Sequence, residues 1–148
     1  IVLLFGPLYH LKNDEDKQKC IEEAKRVCKD GGKIFFAFIS NDFVFLTEFG
    51  YDINYFSNGD YDKDTFKLND FPFVFHTVEG ARNLLHKSDI NILHEVASDG
   101  ASELLAMKIN EMSEEDYAQY LRYHFYICEK PEMIGMSNHL LFVGEKII

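Results

Sequence analysis

The chain has 148 residues, 47% of them apolar, which is enough for one domain with a real hydrophobic core. A formal net charge of −10 argues against nucleic acid or an anionic membrane surface as partner, because like charges repel. No apolar stretch has the length of a bilayer crossing, and Cys20, Cys28 and Cys128 form no C-x-x-C pair, so reduced, buried thiols in a cytoplasmic protein are expected.

Ile1 to Phe5 is an unbroken apolar run ended by Gly6-Pro7, the pattern of a strand covered on both faces. Asn13 is placed to cap a helix that reaches towards Gly32, with Asp14, Glu15 and Asp16 matched to its dipole. Ile21, Ala24, Val27 and Cys28 give that helix its inward face, Cys20 borders it, and Gly31 suits a left-handed stop. Lys33 to Ile39 predicts a second buried strand, so the opening forms a right-handed strand–helix–strand crossover. Ligands of such sheets sit at the carboxyl ends of the strands, which directs attention to Gly6–Leu11 and to Ser40–Asp42.

Asp42, as a cap, precedes Phe45, Leu46, Phe49, Ile53 and Phe56 at helical spacing, and Asn58-Gly59 marks a turn. Asp60 to Phe75 is expected to be largely extended. Its alternating carboxylates fail as a calcium loop, because Thr65 stands where the turn glycine is needed and Phe71 where the bidentate Glu is needed. Thr77 then caps a helix over 78–86, and Asp89 to Val96 predicts a strand with Ile90, Ile92 and His94 on one face. A short helix is expected over 101–109. Ser113 and Asp116 form a capping-box pattern before a helix whose Tyr117, Tyr120, Leu121, His124 and Cys128 share a face. His139 to Val143 is the last strand, expected at an edge.

Three motifs in order carry a family resemblance. IVLLFGPLYHL with CKDGGKIFFAFIS, then FHTVEGARNLL, then MSNHLLFVGEK together resemble the second half of a class I S-adenosylmethionine-dependent methyltransferase, across nearly the whole chain. Asp30, Val78 and Gly80 depart from the family's preferred Pro, Pro and Glu. The family's glycine-rich cofactor loop, with its ribose-binding acidic residue, lies upstream of the matched region, and no G-x-G arrangement substitutes for it here. The resemblance therefore implies an α/β fold. It would be a partial Rossmann-like methyltransferase sheet, its later strands mostly parallel with an antiparallel final strand, carrying flanking helices and an aromatic-rich lid. The chain would be a single partial domain over 1–148, with residues 41–76 as a substrate cap inserted within it. The bland alternative for the lid is that its Phe residues cover a sheet edge.

The implied function is that of a fragment, inactive alone, of an enzyme that moves a methyl group from S-adenosylmethionine to a small-molecule acceptor. Phe5, Gly6 and Leu8 stand where cofactor would be touched. Tyr9 and His10 follow the strand end, with His10 placed to act as a general base. The other reading has His10 capping the next helix and Tyr9 packing beneath the lid. His76 and His139 match family positions with structural work expected of them. The six histidines show no metal-ligand spacing, each cysteine sits on an apolar helix face, and no G-x-S-x-G elbow occurs. A non-catalytic module that forms a homo-oligomer through an exposed strand edge is the alternative from another class. An unrelated enzyme that shares only the crossover layout is a third.

Overall fold

The computed structural model describes residues 1–147. Strands β1 (Val2–Leu4), β2 (Ile34–Ser40), β3 (Phe75–His76), β4 (Ile90–Ala97) and β5 (His139–Lys146) form one open sheet in the order β1-β2-β5-β4. β3 lies beside the end of β2. β1 and β3 pair parallel with β2, whereas β5 pairs antiparallel with both β2 and β4. Strands β1 to β4 thus share one direction and β5 alone is reversed.

This corrects the mostly parallel sheet expected from the sequence. Because β5 lies inside the sheet, both long ladders are antiparallel, and parallel pairing is confined to the short ladders of β1 and β3. For the same reason His139 opens an interior strand and not an edge. β1 is one edge, paired only with β2 among the described residues, and β4 is the other. Leu3 is 60% and Phe5 52% exposed, so the expected burial of this segment on both faces is not observed.

The helices are α1 (Asp14–Val27), α2 (Asn41–Tyr51), α3 (Tyr55–Asn58), α4 (Val78–Lys87), α5 (Ala106–Asn110) and α6 (Glu114–Ile127). Asn13 caps α1 by accepting from the Asp16 N–H at 2.8 Å, and Thr77 caps α4 by accepting from the Gly80 N–H at 2.9 Å. Ser40, not Asp42, caps α2, accepting from the Phe43 N–H at 3.2 Å. α1 ends at Val27, earlier than the sequence implied. Gly31 has φ 72 and supplies a left-handed turn three residues beyond the Cys28 cap.

One face of the sheet is dry. Ile34, Phe36, Phe38, Leu140 and Phe142 point onto Ile21, Ala24 and Cys28 of the α1 side and onto Ala81, Leu84 and Leu85 of α4, all buried. Period-two alternation sends these strand residues to one side, and each buried side chain of this size contributes about 1.5–3 kcal/mol. Val27 lies off that face and is exposed. A bidentate pair from Arg82 to Glu95, 2.8 and 2.6 Å, fastens α4 to β4. A register shift between Ile92 and His94 breaks the expected alternation, leaving His94 exposed beside Glu129. α6 is capped by Ser113, accepting from the Asp116 N–H at 3.1 Å. None of its residues is fully buried, but Tyr120, Leu121 and His124 are half-buried and Cys128 just beyond it is buried, along the shared face expected of it, with Tyr117 left exposed. No helix among the described residues is long and apolar enough to cross a membrane.

Candidate functional site

The carboxyl ends of β1, β2, β3 and β4 open onto one edge of the sheet, where the amino end of β5 also arrives. Gly6 turns the chain there. Its φ of 127 is a conformation that side chains other than hydrogen rarely adopt, and it leads into a 3-10 turn over Pro7–Tyr9. The side chain of Leu8 is fully buried in the dry core, so a contact from this residue to a ligand is limited to its main chain. Phe5 and Gly6 lie at the strand end, with the Phe5 ring half exposed. Tyr9 is partly buried and His10 exposed.

Residues 41–76 fold back over this turn. The Val74 N–H donates to the Tyr9 carbonyl at 2.9 Å. The Phe73 ring meets His10 at 5.3 Å and Tyr9 at 6.2 Å, while Tyr9 and His10 are 5.1 Å apart. The segment has its own small core of Phe45, Tyr61 and Leu68, packed by Val44, Tyr55 and Phe75. The expected extended stretch is instead mostly turns with a single bridge between Tyr61 and Leu68. The Asp62 carboxylate is engaged in such a turn, accepting from the Asp64 and Thr65 N–H groups at 3.0 and 2.8 Å.

A second polar group stands one strand further along the same edge. His139 Nδ1 lies 2.6 Å from Asp99 Oδ2. Asp99 Oδ1 also accepts from the His139 N–H at 3.1 Å and from the Ser137 hydroxyl. The Ser137 oxygen accepts in turn from the Gly100 N–H at 3.0 Å. An ionised carboxylate only accepts, so the imidazole proton is on Nδ1 and Nε2 is the basic nitrogen. Nε2 has no hydrogen-bond partner among the described residues, and the His139 side chain is 55% exposed. The Asp99 bond raises the His139 pKa above its ordinary value, against the opposing effect of burial. Burial pushes Asp99 up, but its bonds to His139 and Ser137 outweigh that and hold it below the usual carboxylate range. Asn138 completes the network: its Oδ1 accepts from the Thr47 hydroxyl at 2.9 Å, and its amide donates to Glu103.

Tyr9 and His10 are thus brought together with Phe73 and Val74 of the segment 41–76, but they are not beside His139. β2 separates the strands that carry them, which puts those strands about 10 Å apart, two strand spacings. Asp99 was not singled out from the sequence, and His139 was assigned structural work. The available signal was an Asp-Gly at one strand end and a His opening another strand. Only their pairing gives them chemical meaning.

His76 is different. It is 8% exposed, its ring packs 5.0 Å from Phe38, and neither ring nitrogen has a hydrogen-bond partner. Burial, reinforced by Lys17 and Lys67, lowers its pKa to about 4, so it is neutral at physiological pH. The thiols of Cys20 and Cys128 are pushed up by burial and are poor nucleophiles, and all three cysteines are free. Among the described residues no group of three or more His, Cys, Asp or Glu is placed to hold a metal ion. No protein-family model and no curated protein matches the chain.

Proposed function

We propose that this chain is the carboxyl-terminal half of a cytoplasmic, Rossmann-like methyltransferase that uses S-adenosylmethionine and a small-molecule acceptor. The observation that carries the reading is the meeting of the GPLYHL turn with the aromatic segment 41–76 at the carboxyl edge of the sheet, where Phe73 closes on Tyr9 and His10. The three sequence motifs and the single reversed final strand support it. The main-chain groups of Phe5 and Gly6 would face the cofactor. Without a glycine-rich cradle in this sequence, however, the chain alone is expected to bind S-adenosylmethionine weakly or not at all.

When bound in the complete enzyme, the cofactor supplies an electrophilic methyl group. The residues described here would do the rest: align the acceptor, exclude water and take its proton. An acceptor seated over the end of β2 has the Tyr9–His10 turn on one side and His139 on the other. Of the two imidazoles, His139 is the better proton acceptor, because Asp99 fixes its tautomer and leaves Nε2 accessible. Positioning of acceptor against methyl group is the larger part of the catalysis.

The test joins the chain to whatever sequence its gene encodes upstream and titrates S-adenosylmethionine by calorimetry. Micromolar binding by the joined protein, absent from these 148 residues alone, is the expected result. A joined protein that binds no cofactor overturns the reading. A second reading has one observation in its favour. The β1 edge is unpaired and shows Ile1, Leu3 and Phe5 to solvent, and such an edge pairs readily with another copy. Sedimentation at several concentrations decides it: a strict monomer rules out pairing through β1.

A further inference from the structure

We propose that the aromatic-walled pocket at the start of α2 binds an organic ammonium group, which makes an amine-bearing molecule the acceptor class. The pocket is an open cleft of about 260 Å³ lined by Asn41, Asp42, Phe45, Leu46, Phe56 and Phe66. Three phenyl rings and one carboxylate select a particular kind of guest. A cation is attracted to ring faces and to Asp42, and an alkylated one also buries its methyl groups against Leu46 and the rings. A small hydrated ion would have to shed its water in front of hydrocarbon, and a neutral apolar guest would make no use of the carboxylate.

The walls are held in place at some cost. Phe66 has φ 58, a left-handed conformation that bulky side chains seldom adopt. Asn41 holds it there: its Nδ2 donates to the Phe66 carbonyl at 3.0 Å, and its Oδ1 accepts from the Leu68 N–H at 2.9 Å. The Phe66 ring consequently stands 6.0 Å from Phe45, edge to face, and Phe56 meets Phe45 at 5.2 Å.

The same segment already seats ammonium groups on rings. Lys63 Nζ lies 3.6 Å from the centroid of Tyr61, and Lys67 Nζ 5.7 Å from that of Phe75. Neither lysine lines this pocket, and Asp42 makes no ion pair among the described residues, its Oδ1 accepting from Asn41 Nδ2 at 3.0 Å. The Asp42 carboxylate and the half-exposed Phe56 and Phe66 rings are therefore open to a cation from solution, with buried Phe45 as the floor between them, and a net charge of −10 favours its approach. The word acceptor rests on the methyl-transfer reading; the binding site does not, and its test involves no methyl transfer.

The probes are choline and its uncharged isostere 3,3-dimethyl-1-butanol, each titrated into the whole chain and followed by amide NMR shifts. Choline is expected to shift residues 41–46, 56 and 66, and to bind about tenfold more tightly than the alcohol. Asp42→Asn and Phe66→Leu are each expected to weaken choline about five- to tenfold, with Phe66→Tyr retaining it. Unchanged shifts in the sheet confirm that the variants are folded. Equal binding of the two probes, shifts confined to other parts of the molecule, or no saturation by choline below roughly 10 mM overturns the proposal.

Discussion

The sheet face under α1 and α4 and the carboxyl edge under residues 41–76 are both rich in phenylalanine, yet they are put together differently. On the face, Phe36, Phe38 and Phe142 are fully buried and interlock with aliphatic helix residues. At the edge, Phe56, Phe66 and Phe73 remain 47%, 54% and 39% exposed, and the same edge of the sheet carries the Asp99–His139 and Asn138–Glu103–Thr47 networks. The first arrangement holds the fold. The second has open walls, satisfied polar anchors and a solvent-facing imidazole, features that suit a ligand site. Low-stability segments are also where binding loops are found.

The contrast can be broken most directly by truncating one ring from each region. Phe142→Ala empties a closed site and is expected to cost about 3–5 kcal/mol in urea unfolding. Phe66→Ala removes a half-exposed ring and relieves some crowding at a left-handed position, so a change of about 1 kcal/mol or less is expected. Equal losses would make the segment 41–76 part of the main core and end the distinction.

The two histidines sharpen the comparison through pH. His76 is buried next to the core, and its pKa falls from 6.5 in the unfolded chain to about 4 in the folded one. The unfolded state binds more protons between those values. Stability is therefore full above pH 6.5 and declines as pH falls towards 4, by on the order of 2–3 kcal/mol. Urea midpoints at a series of pH values should show that slope, and His76→Phe should flatten it. An unchanged slope in the variant would assign the acid sensitivity to other groups.

His139 runs the opposite way. Its folded pKa lies above 6.5, so its pairing with Asp99 stabilises fully below pH 6.5 and fades as pH rises through the folded value. Asp99, held below its ordinary 3.8, adds stability above that pH and loses it on further acidification. Asp99→Asn is expected to cost about 1–3 kcal/mol, because Ser137 and two His139 donors lose a charged acceptor. It should also lower the His139 titration seen by imidazole NMR. A His139 that titrates identically in the variant would mean that the two side chains do not pair in solution.

The smallest effect on stability is expected at the β1 edge. Leu3→Lys changes an exposed side chain and should alter unfolding by less than about 0.5 kcal/mol. If copies of the chain associate through β1, the same change should abolish concentration-dependent sedimentation. Persistent association would move the contact elsewhere, with the exposed Tyr123, Phe125 and Tyr126 of α6 as the next surface to alter.

Much of the local structure was legible in the residues themselves. Asn13, Thr77 and Ser113 act as the caps their positions implied, since a side-chain oxygen next to a helical run finds the nearby N–H groups whatever lies around it. Ile34 to Ile39 and the last strand likewise announce themselves as apolar runs. Asp42 was the wrong cap by two residues because Ser40, at the strand end, was equally eligible and only the path from β2 into α2 chose between them. The turn at Gly6 and the aromatic segment were visible as site elements, but not the contact of Phe73 with Tyr9 and His10.

The sequence by itself determined the capped helices, the apolar runs of β2 and β5 and the acidic, aromatic character of residues 41–76, because those depend on spacing and composition within short windows. Only the tertiary structure decided that β5 enters the middle of the sheet and that β1 is left at its rim. That insertion brings Asp99 and His139, 40 residues apart in the chain, within one hydrogen bond. Strand order is set by which faces can be buried together, a property of the whole assembled sheet, and no local pattern encodes it.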